Sequence, residues 1–240
     1  MGCRTTYGSD PLTFVAQAGT TYYFQVQANT IEQITFRLDE APDPIAYFSY
    51  YPSDPSAYDT LQFSSYATDP AGVGISSYLW DFGDGTTSTQ QYASHRYAAD
   101  GDYTVVLTVR TTDGRSDTAT EPVRVRTHDV SIDRLNAPAT ARVGQTISIN
   151  VYVKNTRYPD NVRVTLDKGG PDGFVNIGSS TQLVSVSTTG KTTRFSFNYT
   201  VTNDDAAVGK ITFRATATLT DNRDALPSDN QLLSTPVRIG

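Results

Sequence analysis

Apolar side chains recur at every second position along most of this chain, and no stretch sustains the three-to-four-residue spacing of an amphipathic helix. A strand turns alternate side chains to opposite faces, so this period describes strands with one buried and one wet face. The chain must therefore fold as packed sheets. Sandwich domains run to about 100 residues each, so 240 residues accommodate two.

The alternation falls into blocks. Leu12, Phe14 and Ala16 alternate, Gly19-Thr20 breaks the run, and Tyr22, Phe24 and Val26 resume it, a hairpin pattern. Ile34, Phe36 and Leu38 follow, then Asp39-Glu40-Ala41-Pro42-Asp43-Pro44, a linker stiffened by proline. Three strands cannot make a two-sheet sandwich, so residues 1–42 are expected to be the C-terminal part of a preceding β domain.

A second block runs through Ala46, Phe48 and Tyr50, a Pro52–Pro55 turn, Leu61 and Phe63. Next come Tyr78, Trp80 and Phe82 and the turn Gly83-Asp84-Gly85, whose glycines permit the positive φ of a tight turn. Tyr103, Val105, Leu107 and Val109, the turn Asp113-Gly114, and a strand through Val123 and Val125 complete the set. A third block carries Ile147, Ile149, Val151 and Val153, then Val162, Val164 and Leu166, then Phe195, Phe197, Tyr199 and Val201, then Ile211, Phe213, Ala215, Ala217 and Leu219. The expected division is 1–42, 43–127 and 129–240.

Three stretches carry resemblances. Tyr78-Leu79-Trp80-Asp81-Phe82-Gly83-Asp84-Gly85, His95-Arg96-Tyr97 and Gly101-Asp102-Tyr103-Thr104-Val105 stand in the order of the PKD (polycystic kidney disease) domain, and residues 43–127 resemble that family. Asp129-Val130-Ser131-Ile132, Val143-Gly144-Gln145, Val151-Tyr152-Val153-Lys154-Asn155-Thr156 and Ser228-Asp229-Asn230 resemble a CARDB (cell-adhesion-related) bacterial domain, with Arg157 where that family has glycine. The Ala18-Gly19-Thr20-Thr21-Tyr22-Tyr23-Phe24 stretch resembles the last strands of a pre-peptidase C-terminal type domain. Together they imply an all-β chain of tandem immunoglobulin-like β-sandwiches preceded by a partial β module. They further imply a place in secreted or cell-surface prokaryotic proteins.

A net charge of -6 argues against nucleic acid, whose phosphates call for a clustered basic face. No run approaches the ~20 apolar residues of a membrane span. Cys3 is the lone cysteine, so compartment cannot be argued from disulfides. Met1-Gly2-Cys3-Arg4-Thr5-Thr6 fits a myristoylation pattern, and a fragment start accounts for it more simply. Asn198-Tyr199-Thr200 fits a glycosylation acceptor but sits within a strand pattern.

Catalytic motifs fail on context. Asp81-Phe82-Gly83 matches a kinase triplet without the rest of the kinase set, and Gly190-Lys191-Thr192 has Ser185 where a phosphate loop needs glycine. His95 and His128 stand in no nucleophile or zinc motif, and His95 is expected to make structural hydrogen bonds beside the Gly-Asp-Gly turn. The chain is read as non-enzymatic.

Two kinds of site remain. Asp69, Asp81 and Asp84 are candidate calcium ligands, being hard oxygen donors near loops, a role weighed against accepting the N–H groups that shape those turns. Tyr47, Tyr50, Tyr51, Tyr58 and Tyr66 are candidates for an exposed aromatic surface that contacts a polymer, whereas Trp80 alternates with Tyr78 and Phe82 and belongs in the core. The leading expectation is a spacer or adhesion module of a longer parent protein, meeting protein or polysaccharide at the cell surface. The other is an accessory substrate-binding region of a secreted hydrolase whose catalytic domain lies elsewhere. An exposed aromatic row on one sheet favours the second, and evenly polar outer faces the first.

Overall fold

The computed structural model describes residue 16, residues 20–23, and residues 40–170, 172–187 and 190–240. The expected hairpin and third strand of residues 1–38 lie almost wholly outside the described residues. Contacts divide the chain into two compact units: the residues up to Ser53 with Thr60–Tyr97 and Asp102–Arg124, and Asp54–Asp59, Ala98–Gly101 and Val125–Gly240.

In the first unit β1 (Phe48–Tyr51), β2 (Leu61–Ser65), β3 (Ile75–Asp81), β4 (Thr87–Ser88), β5 (Tyr92–His95), β6 (Gly101–Thr111) and β7 (Ser116–Val125) form two sheets. Their orders are β1-β2-β5 and β4-β3-β6-β7. Phe48, Leu61 and Phe63 of one sheet and Trp80, Val105, Leu107 and Val109 of the other are all buried. They interlock through aromatic contacts, since the Phe48 ring meets Trp80 edge-on at 5.1 Å and Phe63 lies 5.7 Å from it. Trp80 is fully buried, and its indole N–H donates to the Gln90 carbonyl at 2.7 Å, which removes the cost of burying an unpaired donor.

The turn after β3 is built by its own acids. Asp81 accepts the Gly83 N–H at 2.9 Å, and Asp84 accepts the Thr86 N–H at 3.1 Å and its hydroxyl at 2.7 Å. Gly83 has φ of 77°, and a Cβ there would stand 2.5 Å from the Thr104 carbonyl oxygen, so only glycine fits.

The second unit contains β8 (Val130–Asn136), β9 (Thr140–Ala141), β10 (Thr146–Asn155), β11 (Asp160–Gly170), β12 (Gly173–Val184), β13 (Thr193–Thr200), α1 (Asn203–Val208), β14 (Lys210–Ile211), β15 (Phe213–Leu219), β16 (Gln231–Leu233) and β17 (Val237–Ile239). Its sheets run β13-β10-β8, β12-β11-β15-β16 and β14-β17-β9. The inward residues Ile149, Val151, Val153, Val162, Val164, Leu166, Phe195, Phe213 and Ala215 form one continuous core. Pairing of β11 with β12 shifts register between Leu166 and Asp167, leaving Ile177 as a bulge.

α1 is a helix in a chain read as all strand. Thr202 caps it in a reciprocal box with Asp205, and Gly209 ends it in the left-handed conformation. Asp205 is buried and accepts hydrogen bonds from Lys168 at 2.8 Å, from the Tyr199 hydroxyl at 2.6 Å and from Thr202. These bonds tie the helix to β11 and β13.

Candidate binding surface

Strand alternation in β1, β2 and β5 sorts their side chains between core and solvent. Phe48, Phe63 and Ala93 turn inward, so the residues between them turn outward. Register then fixes the outward rows: Tyr51 lies across from Gln62 and Ser94, and Ser49 across from Ser64 and Tyr92. One row further along, the Tyr66 N–H donates to the Tyr47 carbonyl at 2.8 Å, and the two rings stand 6.2 Å apart.

Four tyrosines are therefore presented on one side of one sheet. Tyr47 is 57%, Tyr51 75%, Tyr66 58% and Tyr92 63% exposed, values that mark free rings rather than core packing. Serine and glutamine fill the positions between them, and no charged side chain interrupts these rows. Such a face offers flat apolar rings with phenolic hydroxyls at their tips, and neutral donors and acceptors around them, at little cost in rotamer entropy.

Of the five tyrosines singled out in the sequence, Tyr47, Tyr51 and Tyr66 share this face and two do not. Tyr50 turns inward, its ring 5.7 Å from Phe63 and its hydroxyl donating to the Pro122 carbonyl at 3.3 Å. Burial, aided by Glu121, raises its hydroxyl pKa. Tyr58 lies outside the strands, in the Ser56–Asp59 turn. Tyr92 was missed. Its only signal is the short alternation Tyr92-Ala93-Ser94, whose inward residue is a small alanine.

The three acids offered as calcium ligands do not gather. Asp69 precedes β3 and Asp81 ends it, and seven residues at ~3.3 Å each separate those ends by about 20 Å. Asp69 is fully occupied: it accepts the N–H groups of Ala71, Val73 and Gly74 and a two-pronged contact from Arg115, which holds its carboxyl well below the usual range. Asp84 shares its second oxygen with His95 Nε2 at 2.8 Å, and the His95 ring stacks on Phe82 at 4.3 Å. Burial works against the charged Asp84, but the Thr86 and His95 contacts prevail and lower its pKa. Among the described residues no three His, Cys, Asp or Glu side chains are placed to hold a metal.

His128 pairs through Nδ1 with Asp160 at 2.7 Å, and Asp160 also accepts from Asn155 and Asn222. Asn155 and Asp160 are the buried members of that hydrogen-bond network, which His128 and Asn222 extend outward. Among the described residues no helix is long and apolar enough to cross a membrane.

Two facing sheets locked by a buried tryptophan, with an acid-capped Gly-Asp-Gly turn, define an immunoglobulin-type sandwich. Residues 42–126 match the family model of the PKD domain, so this part of the chain is a PKD domain. A microbial collagenase of Vibrio alginolyticus is 48% identical over 66 residues, which are 27% of this chain and 8% of that protein. This chain thus spans less than a tenth of that relative. The PKD1 domain of the Vibrio cholerae metalloprotease PrtV is 34% identical, with a TM-score of 0.33 over 36% of this chain and 100% of that one. A CARDB domain from Pyrococcus furiosus is 16% identical, with a TM-score of 0.38 over 48% of this chain and 90% of that one.

Proposed function

We propose that this chain is a non-catalytic accessory region of a larger secreted hydrolase, and that the tyrosine face of its PKD domain holds an extended polymer for a catalytic domain lying outside these residues. The observation that carries this reading is the placing of Tyr47, Tyr51, Tyr66 and Tyr92 on one uncharged face. Tyrosine rings stack on pyranose rings and on proline-rich backbones alike, so the ligand class is a fibrous protein or a polysaccharide chain. The names of the relatives, a collagenase and a metalloprotease, support an extracellular setting and a proteinaceous fibre.

The tyrosine row favours this reading over a spacer with evenly polar faces. Co-sedimentation of the chain with insoluble collagen, chitin and cellulose tests it. Retention on one of these is expected. A chain that stays in the supernatant with all three leaves the spacer role as the better account.

A further inference from the structure

A sheet edge is a row of unmet backbone donors and acceptors, and stable proteins guard such edges with charge, proline or brevity. The edges described here follow that rule with one exception. β7 carries Asp117, Glu121, Pro122 and Arg124, β8 carries Asp133 and Arg134, and β13 carries Arg194. β1 and β5 have four residues each, β16 has three, and β4, β9 and β14 have two.

β12 breaks it. This strand, Gly-Phe-Val-Asn-Ile-Gly-Ser-Ser-Thr-Gln-Leu-Val, is 12 residues long with no charge and no proline. It pairs with β11 on one side, and among the described residues no strand pairs with the other. Phe174, Val175 and Leu183 are exposed near its two ends, Val175 at 61% and Leu183 at 59%.

The strand carries one self-complementary feature: Phe174 and Leu183 stand equally far from the midpoint between Gly178 and Ser179, with a mostly small and polar stretch between them. In a regular strand Phe174 and Leu183, an odd number of positions apart, would point to opposite faces. The bulge at Ile177 corrects the parity: Phe174 lies across from Gly169 and Leu183 across from Asn161, both on the outward side of β11. Arg214, outward on β15, covers the Phe174 ring at 4.2 Å.

We infer that β12 pairs antiparallel with β12 of a second copy of this chain about a two-fold axis near Gly178 and Ser179. Each Phe174 then lies beside the partner's Leu183 on the same face, and the hydroxyl-rich middles meet. An isologous contact of this kind closes at two copies and leaves neither copy of β12 with an open edge. Net charge favours this location, because molecules carrying -6 meet with least repulsion along an uncharged strand.

Sedimentation equilibrium of the full chain, from micromolar to millimolar concentration, tests the pairing. The average mass is expected to rise from one chain toward two, and Thr181→Lys, which sets a charge on this exposed edge, should hold it at one chain with unchanged melting. Geometry is checked by Phe174→Cys with Leu183→Cys in a Cys3→Ser background. Oxidation should yield a covalent dimer from the double variant and much less from either cysteine alone. A chain that remains a monomer throughout, whether because this edge stays free or because another part of the same chain covers it, overturns the proposal. So does a dimer that Thr181→Lys leaves intact.

Discussion

Trp80 on β3 donates its indole N–H to the carbonyl of Gln90, ten residues on, while Phe48 and Phe63 of the facing sheet close over its ring. The residue thus joins the two sheets by packing and the turn region by a hydrogen bond. Trp80→Ala is expected to destabilise the PKD domain by about 3–5 kcal/mol, the usual cost of emptying a large aromatic from a core. Trp80→Phe keeps most of the packing but strands the Gln90 carbonyl, at about 1–3 kcal/mol. Calorimetry of the two variants checks the order. Equal losses would show that the packing of the ring contributes nothing beyond the hydrogen bond.

Gly83 and Gly85 separate conformational strain from collision. Both have positive φ, but a Cβ on Gly83 meets the Thr104 backbone whereas one on Gly85 meets nothing within 4 Å. Gly85→Ala should cost about 1–2 kcal/mol for the left-handed backbone alone. Gly83→Ala should cost clearly more. Trp80 is the lone tryptophan, so its fluorescence in urea follows this unit specifically. Equal midpoints for the two variants would contradict the close approach to Thr104.

Asp205 predicts a pH dependence for the second unit. Burial alone would raise its pKa, but the bonds from Lys168, Tyr199 and Thr202 bring it down to about 2. An unfolded aspartate titrates near ~3.9, so the folded state favours the ionised form. Its stabilising contribution is complete above that value and is lost as pH falls through about 2. Asp205→Asn should therefore cost about 1–3 kcal/mol near neutrality, and the gap from the parent should narrow between pH 4 and pH 2. A gap that stays constant over that range would show that the charge is immaterial.

The sandwich core was readable because its strands alternate strongly: Tyr78, Trp80 and Phe82, and Ile149, Val151 and Val153, announce which face is buried. Where alternation weakens, the reading weakens too. β12 was missed because its bulge breaks the period and the residues of its middle are mostly small and polar. α1 was missed because six residues are too few to display a helical period, although Thr202, Asp205 and Gly209 are its capping residues. Neighbouring aromatics such as Tyr50 and Tyr51 show that one faces in, and only the pairing with β2 shows which. The carboxylates at 69, 81 and 84 are close in sequence yet stand at opposite ends of a strand, and their bonding to backbone N–H groups depends on loop geometry that spacing does not express.

The most direct test of the account is the binding isotherm of the chain on the polymer that retains it, measured for the parent and for Tyr51→Ala with Tyr92→Ala. Both rings are exposed and serve no core contact, so the double variant should melt with the parent while its affinity falls by at least tenfold. Stacked aromatics contribute roughly 0.5–1.5 kcal/mol each, and two such losses exceed a factor of ten once each is above about 0.7 kcal/mol. Tyr50→Phe, on the inward side, should bind as the parent does. Undiminished binding by the double variant, at unchanged stability, would contradict the assignment of this face as the polymer site.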